Sequence, residues 1–219
     1  MDGAASNSGN ALTQILAPEM DGEDLAQRRV RAVRNQYPLA EGRRLTGLLA
    51  DAGVTAVVIK GPALSDRLFG APGLRDHADI DLVVRPEDAQ RAMDVVGGCG
   101  YEGEVIAADS PVLRGPCENA FRKGGAVPGM VEVHWRLYPR HLPFPRKLEL
   151  DVLWPRLGAE FEENDLALYL CFHWVKEWEG IDKLKLFAAA LDQCAAFPWA
   201  EAVREAEAEG TLRMLLLGG

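Results

Sequence analysis

Two carboxylates interrupt an otherwise apolar segment near the middle of the chain. Asp79 and Asp81 alternate with Ile80 and Leu82 in the sequence HADIDLVV. Alternation with a period of two predicts a β-strand over residues 79–84 with both carboxylates on one face, ~6.6 Å apart along the strand. Two like charges this close repel each other unless one is protonated or cations lie between them. An isolated pair of this kind also fits the solvent-exposed face of an edge strand. The surrounding sequence therefore has to distinguish a cation site from such an exposed face.

The composition is that of a globular protein with a hydrophobic core. Of 219 residues, 48% are hydrophobic and 26% are charged, which is typical of soluble domains. No apolar run reaches the ~20 residues that cross a bilayer, and the first residues lack the pattern of a secretion signal. The four cysteines form no CxxC pair, a pattern that fits neither a zinc site nor a disulfide framework. We therefore expect a cytoplasmic protein with reduced cysteines and no membrane partner.

The charge balance bears on the class of partner. There are 24 Lys and Arg residues against 33 Asp and Glu residues, a formal charge of −9. Because nucleic-acid binding depends on neutralising phosphates with basic side chains, this balance argues against a nucleic-acid partner.

The periodicity along the chain predicts an α+β fold. Helical spacing covers 23–35, 40–52, 63–69, 87–96, 165–178, 183–195 and 199–208, and strand patterns cover 54–59, 79–84, 101–107, 118–123 and 131–135. We expect a flexible N-terminal arm over 1–22, a core domain over 23–150, and a helical C-terminal subdomain over 151–219. The core should be a small mixed sheet of four to five strands with helices on one side.

A glycine turn precedes the acidic strand. Lys60-Gly61-Pro62 closes the predicted strand 54–59, and Pro62 suits the first position of the next helix. Gly61 allows the backbone to approach a ligand closely, and free N–H groups at a helix N-terminus attract phosphate. Lys60 and Arg75 would add positive charge beside it. A purely structural strand-to-helix turn has the same sequence pattern.

A third carboxylate lies in the later segment VEVHW. Glu132 alternates with Val131 and Val133, so Glu132 and His134 share one face of the predicted strand. A lone glutamate in a strand also fits a solvent-exposed position. His134 on this face fits a residue that orients Glu132, a substrate contact, or a packing role.

The order of these motifs resembles the nucleotidyltransferase superfamily that includes DNA polymerase β. Within this superfamily, the motifs most resemble those of a bacterial group of uncharacterised nucleotidyltransferases. The matching segments are KGPAL at 60–64, PGLR at 72–75 leading to DIDLV at 79–83, VEVHW at 131–135, and LCFH at 170–173 with Lys176. The resemblance covers about residue 48 to the C-terminus. It implies an α+β, polymerase β-like nucleotidyltransferase core followed by a helical C-terminal subdomain.

The resemblance also implies an activity and a set of site residues. Members transfer a nucleoside monophosphate from an NTP to a hydroxyl group. By position, Asp79, Asp81 and Glu132 would be the catalytic residues and would hold Mg²⁺ or Mn²⁺, with Glu132 helping to deprotonate the acceptor. Lys60, Gly61 and Arg75 would bind the triphosphate. The nucleotide would most simply be AMP, and the acceptor a small molecule, a peptide or a protein, as in the tailoring of peptide natural products.

Two features depart from the family pattern. The family turn is commonly Gly-Gly or Gly-Ser, whereas here Pro62 removes both the serine hydroxyl and a backbone donor. Relatives tend to be longer, so a short or altered acceptor region is expected. An alternative to the enzyme is therefore a non-catalytic binding module or antitoxin with a nucleotidyltransferase fold. Retention of all three carboxylates favours the enzyme, because like charges are costly to keep together without a function.

Overall fold

The structure, a computed structural model, describes residues 25–69, 77, 79–103, 117–124, 129–157, 161–177, 181–194 and 196–218. Within these residues the strands form a five-stranded mixed sheet in the order β1-β2-β5-β4-β3. The strands are β1 (Ala56–Val58), β2 (Asp79–Val84), β3 (Glu102–Gly103), β4 (Glu118–Lys123) and β5 (Gly129–His134).

Helices precede, connect and follow these strands. They are α1 (Leu25–Asp51), α2 (Pro62–Phe69), α3 (Ala89–Gly98), α4 (Leu150–Leu153), α5 (Glu163–Glu177), α6 (Ile181–Gln193), α7 (Trp199–Glu209) and α8 (Leu212–Gly218). Short 3₁₀ turns at Pro86–Asp88 and Arg146–Leu148 lead into α3 and α4. The α+β class and the mixed sheet predicted from the sequence are confirmed.

The centre of the sheet is a parallel pair. Strand β2 runs parallel to β5, and β5 pairs antiparallel with β4 on its other side. In the β2–β5 register, Asp81 lies opposite Glu132 and Val83 lies opposite His134. Side chains at paired positions project from the same face of a sheet, so this register brings the two acidic segments of the sequence together.

Helices cover both faces of the sheet, so the expectation of helices on one side only is wrong. On one face, Leu45 of α1 and Met93 of α3 pack with Leu82 and Val133. On the other, Val83 belongs to a cluster that includes Phe172 of α5 and extends through α6, α7 and α8. The reason lies in β2, which is apolar along its whole length on one face, while on the opposite face the buried Val83 follows the two carboxylates.

The second cluster also crosses residue 150. Val57 and Leu64, from the region predicted as the core, are buried together with Leu166 and Leu215 from the region predicted as the helical subdomain. The division at residue 150 stays a prediction about domains. The shared cluster shows that the C-terminal helices are packed against the sheet.

The sequence pattern predicted two N-terminal helices, over 23–35 and 40–52, and this is wrong within the described residues. The structure has the single helix α1, with Pro38 in its interior. An internal proline removes one backbone hydrogen bond and costs ~3 kcal/mol or more. Burial of Asn35 before it, and of Leu45 and Leu49 after it, holds both halves of the helix against the rest of the protein.

None of the helices in the described ranges combines the length and apolar character needed to cross a bilayer. The predicted N-terminal arm over 1–22, the loop that contains Arg75, and residues 104–116 lie outside the described residues.

Candidate functional site

The predicted carboxylates lie together on one face of the central strands. Asp79 and Asp81 come from β2, and Glu132 lies directly opposite Asp81 on β5. The Asp81 side chain is only 2% exposed, whereas the Glu132 side chain is 21% exposed. The arrangement therefore combines a buried carboxylate with one that solvent or a ligand can reach.

Two cationic groups contact the buried carboxylate. The Lys60 amine lies 2.8 Å from Asp81 Oδ1, and His134 Nε2 lies 3.0 Å from the same oxygen. Burial alone would raise the pKa of Asp81, but the hydrogen bond from His134 and the charge of Lys60 outweigh it and hold the pKa below its ordinary value. Asp81 is thus kept ionised by the protein itself.

Asp79 has the opposite environment. Burial raises the pKa of Asp79, the negative charges of Asp81 and Glu132 raise it further, and Lys60 only partly opposes them. Because burial and the neighbouring carboxylates disfavour a second negative charge, an added cation would favour the ionised form of Asp79.

His134 connects three acidic side chains. Its Nε2 lies 3.4 Å from Glu132 Oε2, and its Nδ1 lies 3.0 Å from Glu118 Oε2. Burial disfavours the charged imidazole, yet the hydrogen bonds to Asp81, Glu118 and Glu132 raise the pKa of His134 to about 10. Glu118 belongs to this group but was not singled out from the sequence, since only the β4–β5 register places it opposite His134.

The glycine turn lies beside the carboxylates, as expected. Strand β1 runs next to β2, and the Ile59 N–H donates to the Asp81 carbonyl at 3.2 Å. Gly61 has a φ of +83°, in the left-handed region where side chains are strained. Among the described residues, a Cβ there would meet the Asp79 carbonyl oxygen at 3.8 Å, an ordinary contact distance, so it is the backbone conformation that favours glycine.

Lys60 follows β1 and extends onto Asp81. Burial alone would lower the pKa of Lys60, but its proximity to Tyr169 of α5 and to Asp81 raises it above the ordinary value. The lysine is therefore a fixed positive charge at the edge of the acidic face. Arg75, the other predicted basic partner, lies outside the described residues.

A hydrogen-bonded contact secures the chain just before Asp79. The buried Ser65 of α2 places its hydroxyl 3.0 Å from His77 Nε2, and the His77 N–H donates to the side-chain oxygen of Asn35 in α1 at 3.3 Å. Sequence spacing gave no sign of this contact, since the three residues come from separate segments.

The donor set fits a divalent cation. Asp81, Glu132 and His134 each offer a ligand atom, and these atoms all lie within 4.8 Å of one another. Asp79 adds another carboxylate to the same sheet face. Carboxylate oxygens are the ligands that Mg²⁺ prefers, and imidazole nitrogen is also a ligand for transition-metal ions such as Mn²⁺.

The described residues thus combine a mixed sheet, acidic side chains on paired parallel strands, and helices on both faces. Residues 7–219 match the model of a family described as uncharacterised nucleotidyltransferases. The chain belongs to this family.

No curated protein matches the sequence. Among solved structures, the chain aligns with one described as a cytoplasmic RNA terminal U-transferase, at 16% identity and a TM-score of 0.28. The alignment covers 75% of this chain and 45% of the other, so this chain spans less than half of that protein's length. So distant a likeness carries no argument about substrate.

Proposed function

We propose that the protein transfers a nucleoside monophosphate, AMP, from an NTP to a hydroxyl or similar group on a small molecule, a peptide or a protein. The observation that carries the proposal is the β2–β5 register, which sets Glu132 opposite Asp81 with Asp79 on the same face. Nothing in a sheet requires three carboxylates at such positions, and their mutual repulsion is a cost that a cation relieves.

Asp79, Asp81 and Glu132 would hold Mg²⁺ or Mn²⁺. When bound, the metal would neutralise charge on the triphosphate and stabilise the oxygens that attack and leave in the displacement. Asp81 is suited to the fixed part of this role because Lys60 and His134 hold its carboxylate in place. Glu132 is the more exposed carboxylate and is therefore the group we assign to accept the proton of the acceptor hydroxyl.

The Gly61 turn and its neighbours would bind the triphosphate. Helix α2 begins at Pro62, directly after the left-handed glycine, and the first N–H groups of a helix lack internal partners. Lys60 supplies a positive charge beside the carboxylates, and Arg75 is proposed as a second. Proline at the first helical position removes one donor, so the backbone contribution to phosphate binding should be weaker than in a Gly-Ser turn.

The acceptor is proposed from charge alone. A net charge of −9 repels long polyanions, which disfavours a nucleic acid as the acceptor. A neutral or basic small molecule, peptide or protein fits better, and peptide natural-product tailoring is one setting in which such a transfer occurs. We also propose a cytoplasmic location, where NTP is available.

A second candidate function is a non-catalytic binding module or antitoxin with the same fold. One observation favours it: Lys60 and His134 already balance the charge of Asp81, so the buried carboxylate is stable without a metal. Such a module would not need Asp79 and Glu132 beside it.

Calorimetric titration with non-hydrolysable analogues of ATP, GTP, CTP and UTP tests the proposal. We expect binding in Mg²⁺ and its loss in EDTA, with the ATP analogue binding most tightly. Equal binding of all four analogues would remove the assignment of AMP while keeping the transferase. Absence of binding for every analogue, by a folded protein, would favour the non-catalytic module.

A further inference from the structure

The His134 ring is fixed from two directions within the sheet. Strand β5 lies between β2 and β4, so its side chains can contact both neighbours. His134 pairs with Val83 in the parallel register and with Glu118 in the antiparallel one. Its Nδ1 is 3.0 Å from Glu118 Oε2, and its Nε2 is 3.0 Å from Asp81 Oδ1. Both ring nitrogens are therefore engaged.

Glu118 is itself restrained. The Cys117 thiol donates to Glu118 Oε2 at 3.3 Å, the same oxygen that faces His134. The Glu118 side chain is 33% exposed, compared with 6% for His134. The contacts thus run from a partly exposed carboxylate on β4, through a buried imidazole on β5, to a buried carboxylate on β2.

We propose that Glu118 and His134 are positioning residues for the metal-binding carboxylates, with Glu118 orienting the ring and His134 fixing the Asp81 carboxylate. This inference rests on the proposed function, because it assigns Asp81 to a metal. Groups that hydrogen-bond to ligating side chains fix their orientation, and loss of such a group typically weakens metal binding ~10–100-fold.

The distances explain why Asp81 needs this support. Lys60 and His134 contact the same oxygen, Oδ1, which leaves Oδ2 as the oxygen free of these two contacts. Without His134 only the Lys60 amine would hold Oδ1, and the carboxylate would be freer to rotate about its χ2 angle, which is a soft torsion. A rotated carboxylate would no longer present a fixed oxygen toward Glu132.

Two substitutions at His134 separate positioning from packing. In His134→Gln the amide nitrogen is as many bonds from the backbone as Nε2, so it can still donate to Asp81. In His134→Asn the amide nitrogen corresponds to Nδ1, so the contact with Glu118 can persist while the contact with Asp81 is lost. Glu118→Gln removes the charge that faces His134 Nδ1, at a position more exposed than His134 itself. Exposed Glu102→Gln on β3 and His141→Gln are matched controls.

The measurement is the Mn²⁺ dissociation constant of the full chain without nucleotide, by electron paramagnetic resonance, with urea unfolding as the stability check. We expect His134→Asn to weaken Mn²⁺ binding ~10–100-fold, His134→Gln to stay nearer the wild type, Glu118→Gln to weaken binding, and both controls to match the wild type. Equal Mn²⁺ affinity of folded His134→Asn and wild type would overturn the proposal. So would equal weakening by Asn and Gln at His134, because it would point to packing alone.

The test also distinguishes this inference from the proposed function. If wild type binds Mn²⁺ and the Glu118 and His134 variants bind equally well, only the positioning roles are wrong. If wild type itself binds no Mn²⁺, the metal site and the positioning roles both fail.

Discussion

Two aspartates that are two residues apart have contrasting electrostatic environments. Asp81 is almost fully buried and faces Lys60 and His134, which lower its pKa. Asp79 is disfavoured as an anion, first by burial and then by Asp81 and Glu132. The ionised Asp81 therefore stabilises the folded protein, whereas the folded protein disfavours the ionised form of Asp79.

We predict that neutralising these two residues has unequal effects on stability. Asp81→Asn removes the buried counter-charge that the partly exposed Lys60 and the buried His134 share, although His134 keeps Glu118 and Glu132. Breaking a buried ion pair from one side costs about 3–5 kcal/mol. Asp79→Asn removes an unfavourable charge and should leave stability unchanged or higher. Urea unfolding at pH 7 measures both. Equal destabilisation by the two variants would contradict the electrostatic assignment.

At the residue scale, the sequence predicts which strand face a side chain lies on, but not which side chains of other segments it contacts. Alternation in 79–84 and in 131–135 was enough to place Asp79, Asp81, Glu132 and His134 on their strand faces. The contact between Lys60 and Asp81 and the role of Glu118 could not be predicted, because each depends on strand register, which joins segments distant in sequence. The expected binding of phosphate by Lys60 remains a prediction.

At the scale of elements, α1 is tied to the sheet edge by a buried charge. Glu41 of α1 pairs with Arg44 at 2.7 Å and accepts a hydrogen bond from the Tyr101 hydroxyl at 3.0 Å. The hydrogen bond from Arg44 lowers the pKa of Glu41, burial opposes it, and the Tyr101 hydroxyl lowers it further.

The lowered pKa of Glu41 predicts a dependence of stability on acid pH. A carboxyl whose pKa is depressed by folding contributes stability above its unfolded value, here 4.5, and loses it as pH falls through the lower folded value. Wild type should therefore lose stability below pH 4.5 more steeply than Glu41→Gln, which has no proton to bind. Urea midpoints at steps from neutral to acid pH provide the comparison. Parallel curves for the two proteins would rule out this contribution.

Helix α8 packs closely on α5, and a glycine allows the approach. A Cβ at Gly218 would lie 2.7 Å from Cys171 Sγ and 2.8 Å from Val175 Cγ2, and closer still to the Cys171 carbonyl oxygen. For Gly97, in helix α3, no atom of the described residues lies within 4 Å of such a Cβ. The two helical glycines therefore form a matched pair.

We predict opposite effects of alanine at these glycines. Gly218→Ala should destabilise the protein by about 1–3 kcal/mol through overpacking. Gly97→Ala should stabilise it by about 0.5–1 kcal/mol because alanine is the better helix residue. Thermal unfolding of both variants is the measurement, and a stable Gly218→Ala protein would show that α8 does not pack on α5 as described.

Element positions were largely predictable, with failures that have physical causes. Strands over 79–84 and 118–123 agree with β2 and β4, because alternation and burial define their ends. The continuity of α1 through Pro38 was missed, since local propensity ends a helix where tertiary packing continues it. Helix α8 was also missed, because it has only seven residues and is separated from α7 by Gly210 and Thr211.

For the molecule as a whole, the order of elements predicted the fold class, whereas the arrangement of layers needed the structure. Strand β2 has apolar side chains on both faces, Leu82 on one and Val83 on the other, and helices pack against each of them. The sequence did not predict this, because Asp79 and Asp81 share that face of β2 with Val83. The candidate site lies on the Val83 face, where the acidic positions of β2 give way to the buried Val83.

We propose that the carboxylates on β2 and β5 form a metal-dependent NTP site. It is tested most directly by the thermal shift that ATP causes with Mg²⁺ and with EDTA, in wild type and in Asp79→Asn, the variant expected to remain stable. At a ligand concentration of ~100 times Kd, binding should raise the wild-type Tm by about 5–10 °C in Mg²⁺ only, and the variant should show little shift. An equal shift in the variant, or no shift in the wild type, would contradict the account.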